Sequence, residues 1–331
     1  MDDAITLTNV RKTFGSKVAV EGMDLRVASG SLTGFIGPNG AGKTTTIRMI
    51  MSILFPDSGE LRVLGKRSAV ESKDRIGYLP EERGVYKKMK VGAFLEHMAR
   101  LKGCRAGEVR ARVGDWLAKV QLDGVHAKRC EELSKGMQQK VQFIASVIHE
   151  PDLIILDEPF SGLDPVNMRL LKDLILEQHK AGRTIIFSTH VMHTAEELCD
   201  HIVMICRGKK VLDAPLREIH RSHGARSIEF VPLDPGADLG VLRGVPGVGA
   251  VRLASRGGVV DVAEGVPVAE VLGRVASALP MSRVQIQKPS LEDLFVEIVA
   301  RQGGEDAEAL RASMHEGGPE LVGAGLEGGD A

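Results

Sequence analysis

The stretch "GPNGAGKT" (Gly37–Thr44) has the spacing G-x-x-x-x-G-K-[ST], follows an apolar run and opens an amphipathic one. Gly37, Gly40 and Gly42 let successive backbone N–H groups converge on phosphate oxygens without a Cβ in the way. A helix N-terminus behind them adds partial positive charge. Lys43 is placed to neutralise β- and γ-phosphate oxygens, and the Thr44 hydroxyl can reach a Mg2+ ion. Pro38, Asn39, Ala41 and Thr45 complete the loop. A glycine-rich turn could match by chance, but here the strand–loop–helix context is the one the motif requires. Downstream, "LIILDE" ends an apolar run in Asp157 and Glu158. Such a strand delivers the aspartate where it can hold Mg2+ and the glutamate where it can polarise an attacking water as a general base. Alone, it would read as a buried strand ending in a solvated acidic pair. With a phosphate loop upstream, it reads as the second half of a nucleotide-binding site.

These residues need rigid elements to hold them. Residues 5–10, 23–27 and 31–36 read as strands, as do "ELRVLG", "RIGYLP", "LIILD", "TIIFS" and "IVMIC". Helical periodicity marks 43–53, 91–102, 108–121, the stretch after "LSKG", and 165–180. Strands alternating with helices predict an α/β fold with a mainly parallel sheet covered on both faces. Near residue 222 the pattern changes to short strands, one helix and the final helical "SLEDLFVEIVA", which predicts a small α+β domain over 225–301. Residues 302–331 are Gly-rich and acidic with little apolar periodicity, the composition of a disordered tail.

Composition narrows the function classes. The chain of 331 residues carries 43 Lys+Arg against 44 Asp+Glu, so it has no global field for gripping nucleic acid. Aromatics at 4% argue against stacking platforms for single strands. No run approaches the ~20 apolar residues of a bilayer span, and "MDDAITLTNV" lacks the basic and apolar regions of a signal peptide. Any membrane role therefore needs a partner. The four scattered cysteines read as reduced thiols of a cytosolic protein. His190 and His193 form an His-x-x-His pair, but no cysteine or carboxylate set converges on it to suggest a metal site.

The order of five motifs is more telling than any one of them: "GPNGAGKT" (37–44), "LSKGM" (133–137), "LIILDE" (153–158), "SGLD" (161–164) and "STH" (188–190). Over roughly residues 5–220 the chain resembles the ATP-binding subunit of ABC transporters. The resemblance implies a P-loop NTPase fold of ABC type over 1–222, with an antiparallel β subdomain and a helical lobe over about 82–145. It implies that Phe14 stacks on adenine and that Asp157 holds Mg2+. Glu158 is then the catalytic base, and His190 contacts the γ-phosphate. Ser161, Gly162, Leu163 and Asp164 form the loop that communicates across a dimer. Leu133, Ser134, Lys135, Gly136 and Met137 form the signature loop that meets the partner's ATP.

Three positions depart from the family pattern. Glu81 in "YLPEERG" stands where a glutamine usually reaches Mg2+ and the attacking water. Lys135 replaces a glycine, and Met137 replaces a glutamine that supports the signature loop. The "YLPEERG" wording and the "PSLEDLFVEIV" helix resemble a bacterial subgroup of sodium- and drug-efflux systems. The resemblance further implies a head-to-tail pair with a second copy or a paralogue, since one phosphate loop and one signature loop cannot complete a site alone. It implies a polytopic permease docked on the helical lobe, and a cytoplasmic protein peripheral on the inner face of the membrane. A soluble ABC ATPase acting on nucleic acid or ribosomes is the alternative. The doubled cassettes, inserted coiled coils and basic extensions common in such proteins are missing from this sequence.

Overall fold

The computed structural model describes residues 3–82, 84–222, 227–254, 256–263, 265–287 and 290–301. The tail expected at 302–331 lies outside the described residues. In chain order the first elements are β1 (Asp3–Phe14), β2 (Lys17–Ala28), β3 (Leu32–Ile36), α1 (Lys43–Ile50), β4 (Ser58–Val63) and β5 (Ile76–Leu79). Then come α2 (Val91–Leu101), α3 (Ala106–Lys119), α4 (Lys135–Val147), β6 (Leu153–Asp157), α5 (Pro165–Lys180) and β7 (Thr184–Thr189). The first unit closes with α6 (Met192–Leu198), β8 (His201–Cys206) and β9 (Lys209–Pro215).

A six-stranded sheet in the order β5-β6-β7-β3-β8-β9 is parallel from β5 through β8. Every residue of β3, β6 and β7 is buried. That is why these strands are continuous apolar runs in the sequence and not alternating ones. Each fully buried Ile, Leu or Phe side chain there contributes roughly 1.5–3 kcal/mol. Because the strands are parallel, their carboxyl ends share one edge, and the loops after β3, β5, β6 and β7 converge there.

β1, β2 and β4 make a separate antiparallel sheet in the order β2-β1-β4. The β1–β2 pair is longer than the apolar pattern foretells, because its outer half carries Lys12, Thr13 and Lys17, which interrupt that pattern. Likewise α1 stops at Ile50 and not near 53. Ser52 adopts a left-handed φ of 55°, its N–H donates to Met49 O, and the Ile53 N–H reaches back to Arg48 O. This closes the helix in a Schellman motif.

The lobe consists of α2, α3 and α4. Helix α4 ends against β5: His149 Nε2 lies 3.2 Å from Ile76 O, and a Cβ on Gly77 would come within 2.0 Å of Ser146 O.

A second unit spans Ala214–Ile298. It holds α7 (Leu216–Ser222), β10 (Ser227–Pro232), β11 (Val248–Ala254), β12 (Gly257–Val262), α8 (Val268–Ala278), β13 (Met281–Gln287) and most of α9 (Leu291–Arg301). Its antiparallel sheet runs β11-β12-β10-β13. Its core gathers Ile228 and Phe230 from β10, Val260 and Val262 from β12, and Val271 and Val275 from α8.

Gly77→Ala forces β5 away from the Ser146 carbonyl, which the close-packed junction cannot absorb. The substitution is expected to lower unfolding free energy by about 2 kcal/mol, measured from urea midpoints. A change under about 0.5 kcal/mol, the level of an ordinary surface substitution, would contradict this packing.

Candidate functional site

The convergent loops enclose a cleft of about 360 Å³ whose lining runs from Phe14 and Lys17 past Asn39, Gly40 and Gly42–Thr45 to Glu81 and Glu158. The loop after β3 can follow its path only with glycine at two points. A Cβ on Gly37 would lie 2.1 Å from Ile205 O, and one on Gly42, at φ 108°, would lie 2.5 Å from Ala19 O. Both glycines thus let the loop lie close against neighbouring backbone. Lys43 is buried, and its ammonium donates to Gly37 O at 2.7 Å and Pro38 O at 3.2 Å. It lies 3.8 Å from Glu158 Oε1. Burial pulls its pKa down, and Glu158 opposes that shift.

Asp157 is 1% exposed at the end of β6. Its Oδ1 accepts bonds from Ser188 Oγ at 2.5 Å and Thr44 Oγ1 at 3.3 Å. Its Oδ2 is buried with no partner. Burial raises the carboxyl's pKa. An orphaned carboxylate oxygen beside a threonine hydroxyl suits a hard divalent cation with oxygen ligands. Glu81, on the cleft wall after β5, is raised by burial and by the Asp157 and Glu158 charges. Lys43 and Arg48 offset only part of the repulsion that Glu81 feels from Asp157 and Glu158, an imbalance that a divalent cation would relieve.

Glu158 sits at φ 47°, a left-handed backbone unusual for a non-glycine residue. Its N–H is held by Ser188 Oγ at 3.1 Å and Ser188 O at 3.2 Å, and His190 Nδ1 lies 3.0 Å from its Oε1. Ser188 opens the "STH" motif, but the motif assigns it no role of its own, although this one residue fixes both acids. Its signal was weak: a serine one residue inside an apolar strand.

The signature loop does not line the cleft. Ser134 caps α4 by accepting from Met137 N at 3.3 Å. Support that Met137 cannot give comes from its neighbours. Gln138 Nε2 donates to Cys130 O and Leu133 O, each at 3.1 Å, and Gln139 Nε2 donates to Pro159 O at 3.0 Å. Lys135 begins the helix. A Cβ on Gly136 would sit 3.4 Å from Asn167 Nδ2 and 3.6 Å from Leu163 Cδ2. Ser161, Gly162 and Leu163 lead to Asp164, which caps α5 by accepting from Val166 N and Asn167 N and also bonds the Asn167 side chain. No group of three or more His, Cys, Asp or Glu side chains suited to a metal occurs among the described residues, and His193 stands apart from any such set.

The Glu158 hydrogen bond raises the pKa of His190. The imidazolium–carboxylate pair therefore stabilises the fold fully below about pH 6.5, the ordinary histidine value, and that contribution fades as pH climbs through the raised folded pKa. The His190 ring signal, followed by NMR, should titrate above 6.5 and move down toward it in Glu158→Gln. A midpoint below 6.5 in the parent chain would refute the pairing.

The family described as "ABC transporter" matches residues 20–161, and that described as "ATP-binding protein DrrA1-3-like, C-terminal domain" matches 215–299. The chain is 40% identical over 295 residues to the ABC transporter ATP-binding protein YhaQ of Bacillus subtilis, covering 89% of this chain and 98% of that protein. It is 35% identical over 238 residues to the Nod factor export ATP-binding protein I of Paraburkholderia xenovorans, covering 71% and 78% respectively. Among solved structures, an ATP-binding subunit of an ABC transporter superposes with a TM-score of 0.62 at 30% identity, over 66% of this chain and 92% of that one. With its phosphate loop, buried acids and signature loop on this framework, the chain belongs to the ABC transporter ATP-binding proteins, enzymes that bind and hydrolyse ATP.

Proposed function

We propose that the chain drives export through a separate membrane permease, pairing head to tail with a second copy around two ATP molecules and parting when they are hydrolysed. One observation carries the pairing. Ser134 and Gly136 are not among the residues lining the cleft that holds the phosphate loop and Glu158, so each cleft needs a second chain's signature loop to be complete. The export direction rests on similarity to an export ATP-binding protein. Among the described residues no helix is long and apolar enough to cross a membrane. A permease docked on the helical lobe would hold the protein at the inner face of the membrane.

Within the cleft, the N–H groups from Gly40 to Thr45 bind the triphosphate and Lys43 balances its charge. Phe14 stacks on the adenine. Asp157, Thr44 and Glu81 would hold Mg2+, which when bound neutralises β- and γ-phosphate oxygens. Glu158 accepts the proton of the attacking water. His190, its Nδ1 oriented by Glu158, offers Nε2 to the γ-phosphate. Ser134 and the Gly136 N–H, at the N-terminus of α4, contact the partner's γ-phosphate. The transported substrate is chosen by the permease.

In Glu158→Gln, ATP binding should persist, turnover should fall at least a hundredfold, and an ATP-dependent dimer should accumulate on size-exclusion chromatography. Hydrolysis at the parent rate would remove Glu158 from the role of base. Adding Ser134→Ala to that background should return the protein to monomer at the same ATP concentration. An unaffected dimer would mean that the signature loop does not close the partner's site.

A further inference from the structure

Phe14 poses a positioning problem. Its side chain is 48% exposed on the cleft wall, so no core packing fixes the ring. The strand that carries it is also bare along one edge. The β1–β4 ladder ends at Arg11↔Ser58, and beyond it Lys12, Thr13 and Phe14 pair only with β2.

Asp57 stands where the ladder ends and takes the place of the missing strand. Its N–H donates to Arg11 O at 2.8 Å. Its Oδ2 accepts from both Thr13 N and Thr13 Oγ1 at 2.7 Å, and its Oδ1 accepts from Lys12 Nζ at 2.8 Å. That ammonium lies over the Phe14 ring, 5.6 Å from its centroid, within cation–π range. We infer that Asp57 is a positioning residue for nucleotide binding, which holds the end of β1 and the Lys12 ammonium so that Phe14 keeps one face under the cation and the other free for the base. The inference rests on the proposed stacking of Phe14 on adenine.

Two details separate this from an ordinary strand cap. Thr13 alone could be satisfied by a neutral acceptor, whereas holding an ammonium over a ring calls for a charge. The bonds from Lys12 and Thr13 pull the Asp57 carboxyl down to about 2, so the charge is present throughout the working pH range. A ring drawn on by a cation on one face is also a better partner for an electron-rich purine on the other.

The test compares affinities of the full chain for ATP and for inorganic tripolyphosphate, by calorimetry, in the parent, Phe14→Ala, Asp57→Ala, Asp57→Asn and Lys12→Met. Phe14→Ala and Asp57→Ala should each weaken ATP by at least about fivefold, the scale of one base–aromatic stack, with tripolyphosphate unchanged within about twofold. The double variant should be no weaker than Phe14→Ala alone, as expected of residues acting through one contact. In steady-state assays the loss should fall on KM for ATP and not on kcat. Asp57→Asn keeps an acceptor for Thr13 but no charge for Lys12, so it should match Lys12→Met. These two variants decide the matter should Asp57→Ala not fold.

If Phe14→Ala leaves ATP affinity intact, the stacking reading fails and takes this inference with it. If Phe14→Ala weakens ATP while the Asp57 and Lys12 variants do not, the inference alone is overturned. Equal loss of ATP and tripolyphosphate in the Asp57 variants would also overturn it, by showing a general disturbance of the cleft.

Discussion

Everything in the first unit is arranged around a carboxylate that would be costly to bury on its own. Asp157 is out of water, with one oxygen tied to Thr44 and Ser188 and the other bare. A buried, half-satisfied charge is unfavourable unless something compensates it. The compensation is local: an ammonium and a hydroxyl on α1 and a hydroxyl on β7. The parallel order that brings β3, β6 and β7 side by side is what lets three distant segments supply it. Apolar strands below keep water out and make each polar contact above them stronger.

The same logic extends to the polar loops. In Ser188, one hydroxyl and one carbonyl set the geometry of two adjacent acids, so the spacing of Asp157 and Glu158 from β7 is fixed by strand pairing and by this one side chain together. Away from the cleft lining, Gly136 rests against Asn167 and Leu163, and Asn167 is bonded to Asp164. The two loops expected to face a partner therefore touch each other within a single chain, so that a shift of one would press on the other.

Much of this was legible in the sequence, for reasons that also explain what was not. Buried parallel strands announce themselves as unbroken apolar runs, and phosphate loops by obligatory glycines. Both signals are local. β9 and α6 were not foreseen, because one is a partly exposed strand of mixed polarity and the other is seven residues long. The outer half of the β1–β2 pair was hidden by its lysines and threonine. In the site, the glycines, Lys43 and the two acids follow from spacing. Ser188 lies 31 residues from Asp157, and Asp57 lies 44 from Thr13. Contacts across such distances leave no period to read. The support of the signature loop by Gln138 and Gln139 was missed for the opposite reason: attention falls on the residue that departs from a pattern, Met137, and not on neighbours able to replace it.

The backbone of Glu158 has a further implication. At φ 47° it occupies a region that costs an ordinary residue roughly 1–2 kcal/mol and glycine almost nothing. A chain selected only to be stable would place glycine there. Six other non-glycine residues among those described share a positive φ, but Glu158 is the one that lines the cleft, so folding energy from the rest of the sheet offsets a local backbone cost there. The backbone is held there by pairing with Ser188, and the His190 and Lys43 contacts to Oε1 give the carboxylate its direction.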